Sequence, residues 1–275
     1  MVASKDYSEY VKAAVKAKVD AIICGAGLPL ELPKLAADKN ILIAPIVSSG
    51  RAIRLILKRW DKRHKRVPDF VVIEGSKAGG HLGFKKEELL NGTCESLDKI
   101  FDDVKNELKP FEEAYDRNIP VFVAGGIFTG SDIAHFVKKG ADGVQMATRF
   151  IATEECDAAK EFKDAVINCK KEDIAIVKSP TGFPGRGIMN KFMKRVEERG
   201  KNISISSCFD CLSLCNPSDT PYCISGALIE AVKGNIDNGL VFVGSNAYRV
   251  NEMTTVHDLI NELVSEANEK LKEND

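Results

Sequence analysis

The chain has 275 residues, of which 44% are hydrophobic, and its formal net charge is −1. This length and apolar content suit one large α/β domain with a sizeable core. The nearly neutral charge gives no electrostatic reason to expect a nucleic acid or an anionic membrane as partner. No apolar run reaches the roughly 18 residues of a membrane-spanning helix, so we expect no membrane association.

The N-terminal residues and the cysteines bear on the compartment. Residues 1–7 lack the apolar segment of a signal peptide. Eight cysteines without such a signal favour reduced thiols or metal ligands over a disulfide framework. We therefore expect a cytoplasmic protein.

Short apolar runs alternate with helical patterns along the first half of the chain. Strands are expected at residues 21–25, 41–47, 70–73, 121–123 and 143–146. Helices are expected at residues 6–18, 51–65, 96–115 and 131–139. Alternation at a spacing of roughly 25–35 residues predicts parallel βαβ units.

The predicted fold class is α/β, a (β/α)8 barrel of TIM type that is incomplete at its N-terminal side. A closed barrel takes roughly 250 residues, whereas the alternation here ends near Phe150 after five or six units. Residues 1–3 are typical of the end of a further strand. We expect residues 1–150 to form the barrel portion, and residues 151–275 a C-terminal helical cap with a Gly/Pro-rich loop and a cysteine cluster.

Three predicted strands end in segments suited to binding. The first is followed by Glu74-Gly-Ser-Lys-Ala-Gly-Gly-His-Leu-Gly83. The second ends in Ala-Gly-Gly-Ile at residues 124–127, and the third in Val-Gln-Met-Ala-Thr-Arg-Phe at residues 144–150. Glycines lack the Cβ atom, so backbone can approach a flat ligand closely. Several such strand ends in one chain predict an active site at a barrel mouth.

These three segments, in this order, resemble motifs of the nitronate monooxygenase (2-nitropropane dioxygenase-like) family. That family consists of FMN-dependent TIM barrels and is related to the FMN-dependent enoyl-acyl-carrier-protein reductases. Residues 25–29 and 45–49 also resemble strand ends of the family. The resemblance implies an FMN site within residues 1–150, and it implies that the first two βα units are absent. One departure is Ala147, where the family has glycine; a contact through backbone N–H tolerates alanine.

His81 is the expected catalytic residue. An imidazole titrates near neutral pH and can exchange a proton with a carbon acid. The resemblance implies that this histidine lies over the flavin ring, where it acts as catalytic base or orients the nitronate. The alternative is a hydrogen-bonded loop histidine without a catalytic role.

The expected phosphate site consists of Gly125, Gly126, Ala147 and Thr148. Phosphate groups favour exposed backbone N–H groups and helix N-termini, and the paired glycines precede a predicted helix. The alternative is that the glycines only form tight turns.

Four more residues join the expected cofactor site through the resemblance: Glu74, Gly79, Gln145 and Met146. Glu74 would accept a hydrogen bond from the flavin ring or the ribityl chain. A salt bridge between Glu74 and a neighbouring lysine is the alternative.

Two features of the C-terminal half are candidates for further chemistry. Residues 179–187 resemble the substrate-side loop of the family, where Arg186 could meet a nitronate or carboxylate; the alternative is an ordinary surface loop. Four thiols, at Cys208, Cys211, Cys215 and Cys223, could bind zinc or an iron–sulfur cluster. Reduced cysteines without a metal are the favoured interpretation of that spacing.

We therefore expect an FMN-dependent oxidoreductase that oxidises alkyl nitronates with O2 to a carbonyl compound and nitrite. One alternative is an NAD(P)H-dependent FMN enoyl-thioester reductase. Another is a shortened barrel without flavin that serves as an interaction or metal-binding module. The expected partner is a small-molecule substrate, a nitronate or other carbon acid. An incomplete barrel exposes strand edges and apolar surface, so we expect the chain to aggregate, to pair with another subunit as in a homo-oligomer, or to repack.

Overall fold

The computed structural model describes residues 1–38, 40–199 and 208–273. Within these ranges the strands are β1 (Ala21–Cys24), β2 (Leu42–Val47), β3 (Val71–Glu74), β4 (Gly80–His81), β5 (Val121–Ala124), β6 (Gly143–Gln145), β7 (Ile174–Val177) and β8 (Gly185–Ile188). The α-helices are α1 (Tyr7–Lys16), α2 (Leu32–Leu35), α3 (Gly50–His64), α4 (Lys86–Asn91), α5 (Leu97–Tyr115), α6 (Gly130–Lys138), α7 (Thr148–Ile151), α8 (Lys160–Ile167), α9 (Lys191–Arg199), α10 (Ile224–Val232) and α11 (Val256–Lys272).

The five strands expected from sequence form one parallel sheet in the order β1-β2-β3-β5-β6. Its register places Ile73 beside Val123 and Glu74 beside Ala124, so the ends of β3 and β5 are level. The fold is α/β and of TIM-barrel type, with the described strands forming five adjacent members of such a barrel.

The helices expected from sequence are confirmed, and their starts have clear causes. Ser49 and Ser96 cap α3 and α5 by accepting hydrogen bonds from the N–H groups of the first turn. Thr129 and Asp132 form a capping box at the start of α6. These polar caps fix where each strand-to-helix connection ends.

Side chains alternate between the two faces of the parallel sheet. Val71, Ile73, Val121 and Val123 are fully buried against the helices, in a core that also contains Trp60. This helix-facing core holds the strand ends in place.

The opposite, inner face of the sheet is open in the described structure. Phe70, Phe122 and Val144 line an apolar cavity of about 800 Å³ there, together with Ile23 and Leu42. Ile23 is 48% and Leu42 is 45% exposed. This face would be the barrel interior, and β1 and β6 are its two edges among the described strands.

Residues 1–3 lie beside the end of β1. The N–H of Val2 donates to the carbonyl of Gly25 at 3.0 Å, and the N–H of Ala3 donates to that of Ala26 at 3.2 Å. They have turn rather than strand geometry, but their position next to β1 matches the expectation of an adjoining strand end.

A second sheet, which sequence did not predict, joins the segment after β3 to the part after residue 150. Strands β4, β8 and β7 form a small antiparallel sheet, so the glycine–histidine segment pairs with the Gly/Pro-rich loop region. Helix α11 packs on α6, where a Cβ at Gly130 would lie 2.5 Å from the carbonyl oxygen of Leu263. The division into a barrel portion and a cap remains a prediction. No described helix is long and apolar enough to cross a membrane.

Candidate active site

A cavity of about 120 Å³ lies where β3, β5 and β6 end, and we call it the glycine pocket. All eight residues expected at the cofactor site line it: Glu74, Gly79, Gly125, Gly126, Gln145, Met146, Ala147 and Thr148. Carboxyl ends of neighbouring parallel strands share one edge of a sheet, which is why separate motifs meet here.

The backbone of the glycine pocket requires glycine at two positions. Gly125 has φ +87° and Gly126 has φ +115°, values that L-residues with a Cβ rarely adopt. A Cβ at Gly125 would also lie 2.6 Å from the carbonyl oxygen of Gly75. The two glycines therefore form a cradle that a side chain would fill.

The cradle offers backbone donors, whereas the start of α6 does not. Among the described residues, the N–H of Gly126 donates to no acceptor. At α6, Asp132 accepts from the N–H of Phe128 and Thr129, and Glu266 accepts from that of Gly130 at 2.8 Å. Because these N–H groups at the helix start already have acceptors, the donors are offered by the paired glycines before it, and phosphate binding there remains a prediction.

Gly244 and Asn246 are among the residues of this pocket that sequence reasoning missed. The N–H of Gly244 donates to the hydroxyl of Thr148 at 3.0 Å, and Asn246 Nδ2 donates to the carbonyl of Gly126 at 2.8 Å. Both follow the buried apolar run Leu240–Val243. An apolar, strand-like run that ends in glycine could have predicted them, because the three recognised motifs also follow such runs.

A second cavity of about 220 Å³, the histidine pocket, adjoins the first. His81 lines it with Leu28, Ile46 and Phe183. The antiparallel pairing of His81 with Gly185 fixes the backbone, and the ring lies edge-on to Phe242 at 5.1 Å between centroids.

The His81 imidazole has one polar partner in the described structure. Its Nε2 atom lies 2.8 Å from the hydroxyl oxygen of the buried Ser179, which in turn lies 3.0 Å from that of Thr181. Burial lowers the pKa of His81 from its usual value of 6.5. The ring is therefore neutral at pH 7 and able to accept a proton.

Glu74 lines both pockets. Burial raises the pKa of its carboxyl group to about 7. Among the described residues it forms no ion pair, so the alternative of a salt bridge with a neighbouring lysine is not what the structure shows. A carboxyl group that is neutral or ionised near pH 7 thus lies between the two cavities.

Arg186 is oriented away from the histidine pocket. Its Nη1 atom donates to the carbonyl oxygens of Ser76 and Ala78 at 2.6 and 2.7 Å. It lines a third cavity of about 530 Å³, the flank cavity, which shares Gly125 and Gly126 with the glycine pocket. The expected contact of Arg186 with a substrate is untested, and these two hydrogen bonds favour support of the loop instead.

The four clustered cysteines line one small cavity of about 40 Å³ near the start of α10: Cys208, Cys211, Cys215 and Cys223. All four are free thiols. In the described ranges, no group of three or more His, Cys, Asp or Glu side chains is arranged to hold a metal ion.

Comparison with known proteins identifies relatives of this chain. The family model for nitronate monooxygenase matches residues 1–266. A probable nitronate monooxygenase of Staphylococcus aureus (strain Newman) is 30% identical over 195 residues, which are 69% of this chain and 49% of the relative. That of strain JH9 is 28% identical over 204 residues, or 72% and 52% of the two chains. The chain spans about half the length of the curated relatives it matches.

Solved structures show the same fold. FabK from Thermotoga maritima has a TM-score of 0.73 and 24% identity, with 98% of this chain and 74% of that chain covered. Nitroalkane oxidase from Streptomyces ansochromogenes has a TM-score of 0.71 and 21% identity, with 96% and 68% covered. Because the family model matches nearly the whole length of this chain, the chain belongs to the nitronate monooxygenase family.

Proposed function

We propose that this chain binds FMN and oxidises alkyl nitronates with O2 to a carbonyl compound and nitrite. Flavin enzymes make up the family in general, and FMN, when bound, supplies the redox chemistry. The observation that carries the proposal is the adjacency of the glycine pocket and the histidine pocket, which share Glu74.

The glycine pocket fits the phosphate end of a mononucleotide. Its volume of about 120 Å³ and its glycine cradle leave room for a phosphoryl group but not for a Cβ at Gly125. The free N–H of Gly126 is a donor of the type that phosphate oxygens accept from. Gln145, Met146 and Ala147 form the opposite wall, where the flavin would meet the end of β6.

The histidine pocket fits a small carbon acid. Its lining is mostly apolar, and His81 is its nitrogen base. Ser179 holds the ring through the 2.8 Å hydrogen bond. His81 would accept the proton of a nitroalkane at its α-carbon or orient the nitronate formed from it.

A reconstitution experiment tests this proposal. The purified chain is mixed with FMN, and unbound flavin is removed by gel filtration. Addition of propyl-2-nitronate without oxygen should bleach the flavin band, and readmission of air should produce acetone and nitrite. Protein that retains no FMN, or retained FMN whose spectrum the nitronate leaves unchanged, would contradict it.

An NAD(P)H-dependent enoyl-thioester reductase is the second candidate. The flank cavity favours it, because about 530 Å³ beside the glycine pocket gives room for a longer nucleotide or thioester substrate. The solved relatives include an enoyl reductase domain, that of MlnA from Bacillus amyloliquefaciens, with a TM-score of 0.67 and 16% identity. Anaerobic bleaching by NADH or NADPH, without bleaching by the nitronate, would support this candidate over the first.

A further inference from the structure

Lys77 extends its side chain along the glycine pocket. A Cβ placed at Gly126 would lie 3.0 Å from Lys77 Cβ and 3.1 Å from Lys77 Cδ, so the aliphatic stem crosses the face of that glycine. The carbonyl oxygen of Lys77 accepts a hydrogen bond from the N–H of Ser245 at 3.0 Å. The backbone is therefore fixed, and the exposed side chain lies beside the cradle.

The two cations of this pocket differ in their charge balance. Arg149 forms a bidentate pair with Glu262, at 2.8 and 2.9 Å, so its charge is compensated. Lys77 forms no ion pair with any described residue. Glu74, the carboxyl group in the same lining, is not paired with it either.

Two of the three carboxylates that line the adjoining flank cavity are engaged elsewhere; the third is Glu95. Asp98 lies 2.6 Å from His135 Nε2 and 3.6 Å from Lys139 Nζ. Asp132 accepts from two backbone N–H groups at the start of α6. Lys77, a cation without an ion-pair partner among the described residues, thus lines a cavity of phosphoryl size.

We infer that Lys77 is the counter-cation of the flavin phosphate and makes the pocket selective for FMN over riboflavin. The inference rests on the proposed function, because it concerns how this chain holds that cofactor. Backbone N–H groups position the phosphate oxygens, and the ammonium group balances their charge as a mobile point charge. Lys77 lies between the small residues Ser76 and Ala78, and sequence reasoning did not assign it a role in cofactor binding.

Paired binding measurements test the inference. Dissociation constants for FMN and riboflavin are measured by quenching of flavin fluorescence, for the native chain and for Lys77→Met, Lys77→Arg and Lys86→Met. Lys86 is the matched control, because it is exposed, comes soon after the motif and lines none of the three pockets. Each titration is repeated at two salt concentrations.

We expect Lys77→Met to weaken FMN binding about tenfold, the effect of losing one charge-assisted contact, and to leave riboflavin binding unchanged. The salt dependence of FMN binding should become shallower in this variant. Lys77→Arg should restore most of the affinity, and Lys86→Met should match the native chain.

Other results overturn the inference. Equal weakening of FMN and riboflavin would mean that Lys77 only shapes the loop, and no weakening of either would mean that it does not contact the cofactor. Both leave FMN binding itself, and with it the proposed function, intact. A native chain that binds no FMN overturns the proposed function and this inference together.

Discussion

The Nε2 atom of His81 lies 2.8 Å from the Oγ atom of Ser179, although the two residues are 98 positions apart in the chain. The contact depends on the antiparallel sheet, in which His81 is opposite Gly185 and Val177 precedes the turn that carries Ser179. Hydrogen bonds to a catalytic group limit its orientations and so maintain productive geometry. The pair therefore assigns Ser179 a positioning role for the imidazole.

Replacing Ser179 with alanine should reduce kcat/KM for a nitroalkane about tenfold, because a small misorientation of the reacting group is costly. FMN affinity should stay within twofold, since Ser179 does not line the glycine pocket. Ser179→Thr keeps a hydroxyl group and should recover most of the activity. A loss of FMN binding in parallel with activity would show instead that the residue only stabilises the loop.

The pH dependence of proton abstraction follows from the burial of His81. Its pKa lies below the usual 6.5. The neutral imidazole therefore predominates at pH 7, and it is protonated only as the pH falls below 6.5. We expect kcat/KM for a nitroalkane to decline on the acid side of pH 6.5. Measuring kcat/KM against pH in the Glu74→Gln variant as well distinguishes the titration of His81 from that of Glu74. An acid limb centred above pH 7 in that variant would contradict the assignment.

Glu74 should make the flavin-free protein less stable as the pH rises. The pKa of this group is about 7 in the folded chain against 4.5 in its ordinary state. The folded state therefore holds more protons between those values, and the free energy of unfolding falls across this window by about 3 kcal/mol before levelling off. Urea denaturation at pH 5, 6, 7 and 8 should show this decline, and Glu74→Gln should remove it. If the free energy of unfolding depends on pH in the same way in the native chain and in Glu74→Gln, the pKa of Glu74 is not raised.

Sequence predicted the parallel sheet well because its determinants are local. Buried apolar runs such as Val121–Ala124 end in glycine, and Ser or Thr caps mark the following helices. The pocket lining could be predicted for a related reason: adjacent parallel strands bring their carboxyl ends to one edge, so motifs far apart in sequence must meet.

The antiparallel sheet could not be predicted in the same way. Strand β4 is two residues long, and Gly80 and His81 carry no periodicity that would mark a strand. Its partner β8 has glycine at two of four positions. The contacts of His81 with Ser179 and of Thr148 with Gly244 depend on this long-range pairing. No local sequence pattern predicts it.

Replacing Arg186 tests whether this residue binds the substrate or supports the loop that precedes Gly79. Its Nη1 atom donates to the carbonyl oxygens of Ser76 and Ala78, so Arg186→Met should destabilise the fold by about 2 kcal/mol, the scale for hydrogen bonds to a charged group. FMN binding should weaken with it, because those carbonyls belong to the loop ahead of Gly79. The KM for a nitronate should change less than twofold in the FMN-saturated variant. A tenfold rise in KM at unchanged stability would instead make Arg186 a substrate ligand.

Gly79 permits the closest backbone approach at the site, and its replacement should be the most damaging single change considered. A Cβ there would lie 2.5 Å from the carbonyl carbon of Val243 and 2.6 Å from the nitrogen of Gly244. Both are backbone atoms, so no side-chain rotation relieves the clash, and Gly79→Ala should cost about 3 kcal/mol. Because Gly244 contacts Thr148, the displacement should also impair FMN binding.

Gly92→Ala is the matched control for that substitution. Gly92 has φ +65° and no atom within 4 Å of an added Cβ, so it reports backbone strain alone, about 1 kcal/mol. Gly79 has no positive φ, so urea denaturation and FMN titration of the two variants compare a steric clash with backbone strain. If Gly79→Ala is no more destabilised than Gly92→Ala and binds FMN normally, the 243–244 segment does not pack against this loop, and the glycine pocket is not closed on that side.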